Sequence, residues 1–200
     1  MTTETRQPGV GADGPETSAG QRYAAILRQA RSMFLAQERL DIGEIAGRLG
    51  LSRITIYRHM GNREHLVSEV LWSLSRDTLE RARADARAAD EPGFIGVYRR
   101  YNQYLGESAA FLQFLREESA FALRLLTRPD GAVRVRLMAA LQELLEEDAH
   151  QNGRQLHLDT QTLAYVIVCI GESYLYPLIA MHNEPDLDRA TEVVDLLLRP

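Results

Sequence analysis

Lysine is absent: all 23 basic residues of the 200-residue chain are arginine, which we read as GC-rich codon usage rather than chemistry. Cysteine occurs once, at Cys169, so no internal disulfide can form. Its neighbours Val166, Ile167, Val168 and Ile170 predict an inert buried thiol rather than a nucleophile. No pair of His or Cys stands at helical ligand spacing, because Gly153 separates His150 from His157 and His182 lies far along the chain. A Gly-rich phosphate loop is missing too, so no metal, cofactor or catalytic residue is expected. The most apolar run, Leu163 to Met181, contains Glu172 and Pro177, which makes it too polar and too broken for a bilayer. No strand-like alternation and no internal repeat is present. The polar start, without the apolar core of a secretion signal, predicts a cytoplasmic protein with no membrane partner.

What the chain does contain is organised around Leu51 to Met60. Gly50 ends one apolar-periodic segment, and Ser52 stands where it can cap the next. At 3.6 residues per turn, Ile56 and Met60 share one face, while Arg53, Ile54, Tyr57 and Arg58 fall on the opposite one. Such an outer face is wrong for a core and suits a major groove. Upstream, Asp41 can cap a helix over 42–49, so two short helices joined at a glycine form a helix-turn-helix. Arg53 and Arg58 can reach guanine edges in bidentate fashion, and Tyr57 and His59 can bond phosphate oxygens. The net charge of −5 does not oppose this reading, because residues 21–70 carry eight Arg against five acids.

Residues 1–17 lack apolar periodicity and are expected to form a disordered tail. A capping box at Ser18 and Gln21 opens a first helix, repeating Tyr23, Ile26, Leu27, Ala30 and Phe34 at helical spacing. The expected head is 18–62. From Arg63 a connecting helix runs to about Ala89, opening a helical regulatory and dimerisation domain over 63–200. Further helices are predicted over 94–106, 108–126, 131–151, 159–182 and 186–198, with a kink near Tyr176 caused by Pro177. The fold class is all-α.

Ser52, Thr55, Ile56, Tyr57, His59 and Met60, followed by Arg63, Glu64 and Leu66, resemble the DNA-binding signature of TetR-type repressors. The match is close over residues 22–72; elsewhere it rests on length and helical pattern. Two departures stand out: Met60 where the family usually has an aromatic residue, and Asp41-Ile42 where a Thr often begins the second helix. The resemblance implies that Arg53, Ile54, Tyr57 and Arg58 face bases, while Ser52, Thr55, Tyr57, His59 and Arg63 face phosphates. It also implies a homodimer on a pseudo-palindromic operator in double-stranded DNA. The family's last two helices build the dimer interface, which here puts Leu187, Ala190, Val194 and Leu197 in it. The segment from Gly61 to Trp72 resembles the QsdR-like branch associated with quorum-quenching lactonases, which implies a lactone or other amphiphilic effector.

The large domain carries aromatic residues that suit either a helical core or a small-molecule pocket. The expected pocket residues are Trp72, Tyr101, Phe114, Tyr165, Cys169 and Glu172, and Glu172, inside an apolar run, requires a partner. Three readings follow. A homodimeric repressor released by a small ligand comes first. A constitutive or protein-regulated DNA-binding factor would show a closed core instead. An all-α enzyme or adaptor with a vestigial helix-turn-helix would lack the Arg and Tyr face, which is present.

Overall fold

Side-chain caps set the boundaries of the short helices at the start of the chain. The computed structural model describes residues 19–91, 93–153, 155–181 and 184–199, with backbone alone for 179–181. Among these are ten α-helices and no strand. The tail over 1–17 and the capping residue Ser18 lie outside the described residues. The first helix, α1, spans Ala19–Leu35. In α2 (Ile42–Leu49) the Asp41 carboxylate accepts the Glu44 N–H. That bond, with one from the Gly43 amide and the Arg53 and Arg39 charges, holds the Asp41 carboxyl below its ordinary pKa. Gly50 closes α2 at φ 63°, a left-handed conformation that glycine adopts without steric cost, and the Leu51 N–H bonds back to the Ala46 carbonyl at 2.9 Å. Ser52 caps α3 (Arg53–Met60) by accepting the Thr55 N–H, and Asn62 caps α4 (Arg63–Ala88) by accepting that of His65. At 26 residues, α4 is a rod about 39 Å long.

Beyond it come α5 (Phe94–Glu107), α6 (Ala109–Glu117), α7 (Ser119–Thr127), α8 (Ala132–Asn152), α9 (Thr160–Met181) and α10 (Leu187–Leu197). Pro177 lies inside α9. The single helix expected over 108–126 is two helices, broken at Glu118 with φ −118° and ψ 37°. Neither Gly nor Pro marks that break. Glu118 is instead held by Arg63, 55 residues away in sequence. The other expected ends differ from the observed ones by a residue, as helix ends commonly do.

Two apolar clusters hold the helices together. One contains the inward faces of α1 to α3, the Leu66 to Leu71 stretch of α4, and Phe114, Leu115, Ala122 and Leu125 from α6 and α7. The other gathers Leu79, Ala82 and Ala86 of α4 with α5, α8, α9 and α10. Apolar packing therefore runs from the helix-turn-helix into α6 and α7, past the boundary expected at 62. No helix among the described residues is long and apolar enough to cross a membrane.

Candidate functional site

Helix α3 buries Ile56 and Met60 completely and leaves Arg53, Ile54, Tyr57 and Arg58 exposed, Ile54 at 79% and Tyr57 at 52%. A large aliphatic and a tyrosine left in water between two arginines form a surface ready for another molecule. Ser52 and Thr55 add a hydroxyl pair, 2.9 Å apart, at the start of the helix. Gly43 of α2 is a contributor that sequence reasoning missed. The Arg53 guanidinium lies so close above it that a Cβ there would meet Nη2 at 2.4 Å and Nε at 2.8 Å. His59 turns its Nε2 inward, where it has no hydrogen-bond partner.

Arg63 does not join this surface. Its Nε donates to the Leu40 carbonyl at 2.7 Å, its Nη2 donates to both carboxylate oxygens of Glu118 at 2.7 and 2.8 Å, and its guanidinium stands 4.7 Å from the Phe121 ring centroid. The reason is packing: the first turn of α4 lies against the α6–α7 break, so the expected phosphate ligand points into the protein.

Behind the head, α4, α5, α8 and α9 surround a cavity of about 180 Å³, reached also by Phe111 of α6, Leu126 of α7 and Leu187 of α10. Its wall is largely aliphatic and aromatic. The polar exceptions are ordered. The hydroxyls of Ser75 and Tyr101 are 2.7 Å apart, and the Asn102 amide donates to Thr191 Oγ1 at 3.0 Å. Burial pushes the Tyr101 phenol up to about 12, so it is neutral at physiological pH. Glu172 has the partner its setting demands, since Arg134 Nη1 donates to it at 2.8 Å. Burial raises the Glu172 carboxyl above its ordinary pKa, and the Arg134 charge and hydrogen bond pull it part of the way back.

Of the expected pocket residues, Tyr101 and Glu172 line the cavity, and four do not. On α4 the inward face carries Leu71, Leu74, Ser75 and Thr78, which turns Trp72 elsewhere. Phe114 packs between Phe34 and Phe121, with ring centroids 5.7 and 6.2 Å away, and Phe111, one turn earlier, takes the cavity position. On α9 the inward residues are Ile167, Val168, Gly171 and Leu175. Tyr165 consequently faces outward, 51% exposed, and the half-buried Cys169 accepts from Arg134 Nη2 at 3.2 Å. The residues expected at a dimer interface also turn inward. Leu187, Ala190 and Val194 are buried, and Leu197 packs against the second cluster. An apolar stripe on a last helix fits a core as well as a partner, and here the core takes it. Among the described side chains of α9 and α10, Tyr165, Tyr176 and Leu196 are the large hydrophobic ones left exposed.

A capped helix-turn-helix joined by a long rod to an all-α domain with a cavity is the architecture at hand. Residues 91–199 match the family model described as tetracyclin repressor-like, C-terminal domain. The chain belongs to the TetR family. As a TetR-family protein it is a transcription regulator rather than an enzyme. Its fold is similar to that of the R. erythropolis TetR-family transcriptional repressor QsdR, at 24% identity over 90% of this chain and 95% of that one, with a TM-score of 0.80. It is also similar to Thermus thermophilus FadR, a TetR-family repressor solved with lauroyl-CoA, at 19% identity over 88% and 93% of the two chains and a TM-score of 0.62. At these identities the likeness is one of fold. No curated protein matches the chain in sequence.

Proposed function

We propose that this regulator is a homodimeric repressor, acting in the cytoplasm, that reads a pseudo-palindromic operator with α3 and leaves it when a small amphiphile fills the cavity. The observation that carries the reading is the exposed face of Arg53, Ile54, Tyr57 and Arg58, presented by helices whose core continues into the elements around the cavity. Arg53 and Arg58 serve base edges, while Tyr57, Ser52 and Thr55 serve phosphates, a task from which the inward turn of its Nε2 removes His59. One eight-residue helix covers few base pairs, so two copies related by a two-fold axis are needed, with α3 helices roughly 34 to 36 Å apart. The exposed face of Tyr165, Tyr176 and Leu196 supplies the partner surface.

Release by a ligand follows from differential affinity. A molecule that packs better against one tilt of α4 than another shifts the spacing of the heads, with coupling of about 1 to 3 kcal/mol. FadR carries lauroyl-CoA, an amphiphile far larger than the cavity here. The QsdR-like resemblance of the Gly61 to Trp72 segment favours a compact lactone instead. The test is fluorescence anisotropy of a selected operator duplex during titration of small amphiphiles. Release by a compound that binds the large domain supports the reading. If compounds that bind there leave operator affinity unchanged, the protein is a constitutive DNA-binding factor.

A further inference from the structure

The charges on the cavity wall cancel. Among the described residues that line it, only Arg134 and Glu172 carry formal charge, and they face each other at 2.8 Å. The rest of the Arg134 guanidinium is also engaged, Nη1 with the Thr127 carbonyl at 3.3 Å and Nη2 with Cys169 Sγ at 3.2 Å. Every other polar liner is a hydroxyl or an amide: Ser75, Thr78, Tyr98, Tyr101, Asn102 and Ser108 chief among them, with the Tyr104 hydroxyl donating to Asp85. From this arrangement we infer that the effector is an uncharged amphiphile with a hydrogen-bonding head, and that Glu172 is the residue that excludes carboxylates. The inference rests on the reading of this cavity as the effector site and names its ligand class.

The physical argument concerns the charge left behind. An anionic head would be drawn to Arg134, and taking it would leave the largely enclosed Glu172 without its cation. A cationic head drawn to Glu172 would strand Arg134 in the same way. Either exchange leaves a desolvated charge unpaired, which costs more than the new contact returns. An ester, lactone or amide head avoids the exchange, because the Ser75 and Tyr101 hydroxyls offer it both donors and acceptors. The three cavity phenols stay neutral, Tyr98 and Tyr101 raised by burial and Tyr104 by its bond to Asp85, so they add no charge that would rescue a cation. Size narrows the class further. A cavity near 150 Å³ holds benzene, so about 180 Å³ admits a ring with a short arm or a chain of a few carbons.

Hexanamide, hexanoate and hexylamine form the matched set, the first two being nearly isosteric and different in charge. Calorimetric titration of the full chain at neutral pH should show hexanamide binding, with the two ions about tenfold weaker or worse. Glu172→Gln keeps the shape and frees Arg134, so hexanoate should gain about tenfold while hexanamide changes little. The double variant Arg134→Met with Glu172→Met removes both charges without stranding either, and it should bind hexanamide and still refuse hexanoate. Gly171→Leu, which fills the cavity, should abolish hexanamide binding. Hexanoate binding the unmodified protein as tightly as hexanamide would overturn the charge filter and leave the cavity as the effector site. Hexanamide binding that survives Gly171→Leu places its site elsewhere and overturns the inference. Failure of all three probes on both the unmodified protein and the double variant removes the cavity reading and the inference together.

Discussion

Arg53 occupies its position because residue 43 has no side chain. Its guanidinium fills the space where a Cβ would stand, close enough to Asp41 to help hold that carboxyl low. Gly43→Ala must therefore move the end of a flexible arginine and nothing in the backbone. Replacing glycine inside a helix favours folding by up to about 1 kcal/mol, so thermal stability should hold or rise. Operator affinity should fall, by about 1 to 3 kcal/mol if a bidentate guanine contact is lost, and selectivity at that base pair should relax. Anisotropy on operator variants, beside a melting curve, checks both halves. An unchanged affinity would show that Arg53 does not need Gly43. Met60, fully buried in the place of an aromatic residue, shows that the core position accepts a flexible thioether.

At the scale of elements, several polar ties join the head to the body, and two of them lend themselves to a test. In one, Tyr23 of α1 donates to Glu69 of α4 at 2.7 Å, and Glu69 pairs with Arg136 of α8 at 2.8 Å. Burial first, then the Glu69 bond and charge, push the Tyr23 phenol from 10.0 up to about 12. The folded state thus holds that proton more tightly than the unfolded one. Its contribution is complete below pH 10 and is lost as pH rises towards about 12. Urea unfolding across that window should fall more steeply for the unmodified protein than for Tyr23→Phe, and parallel curves would rule the tie out. The other tie is Arg63, which donates to the Leu40 carbonyl of the head and to Glu118 at the α6–α7 break, between a helix that brings Phe111 to the cavity and one that brings Leu126. Glu118 itself does not line that cavity. Glu118→Gln should leave ligand affinity nearly unchanged and weaken the ligand's effect on operator binding several-fold, part of a coupling of about 1 to 3 kcal/mol. Undiminished coupling in that variant would assign the transmission to α4 alone.

The whole molecule divides its charge as a DNA-binding protein can: residues 21–70 sum to +3 and residues 71–200 to −6. In the proposed function the basic part would face the polyanion and the acidic body would keep the protein from binding it elsewhere. The proposed dimer needs the surface that folding leaves open. Leu196, 62% exposed, can become Glu without disturbing the monomer, and Leu196→Glu should halve the mass found by light scattering and lower operator affinity. Val194→Glu, at a site with no exposure, should unfold the chain, because burying an unpaired carboxylate costs several kcal/mol. A Leu196→Glu protein that stays dimeric would move the interface off this face.

By itself the sequence determined what is set within about a turn of helix. The caps at Asp41, Ser52 and Asn62, the left-handed Gly50, the all-α class and the split of α3 into a buried and an exposed face all follow from neighbours a few residues apart. Tertiary structure alone decided what faces what. An apolar stripe on α10 requires burial but does not say against which surface, and it is α5 and α9 of the same chain that cover it. Aromatic residues suit a core as well as a pocket, and rotation of α4 and α9 chose Ser75 over Trp72 and Gly171 over Tyr165. The partners of Glu172 and Arg63 lie 38 and 55 residues away. No local signal links such pairs, because each side chain meets its partner only once the helices have packed.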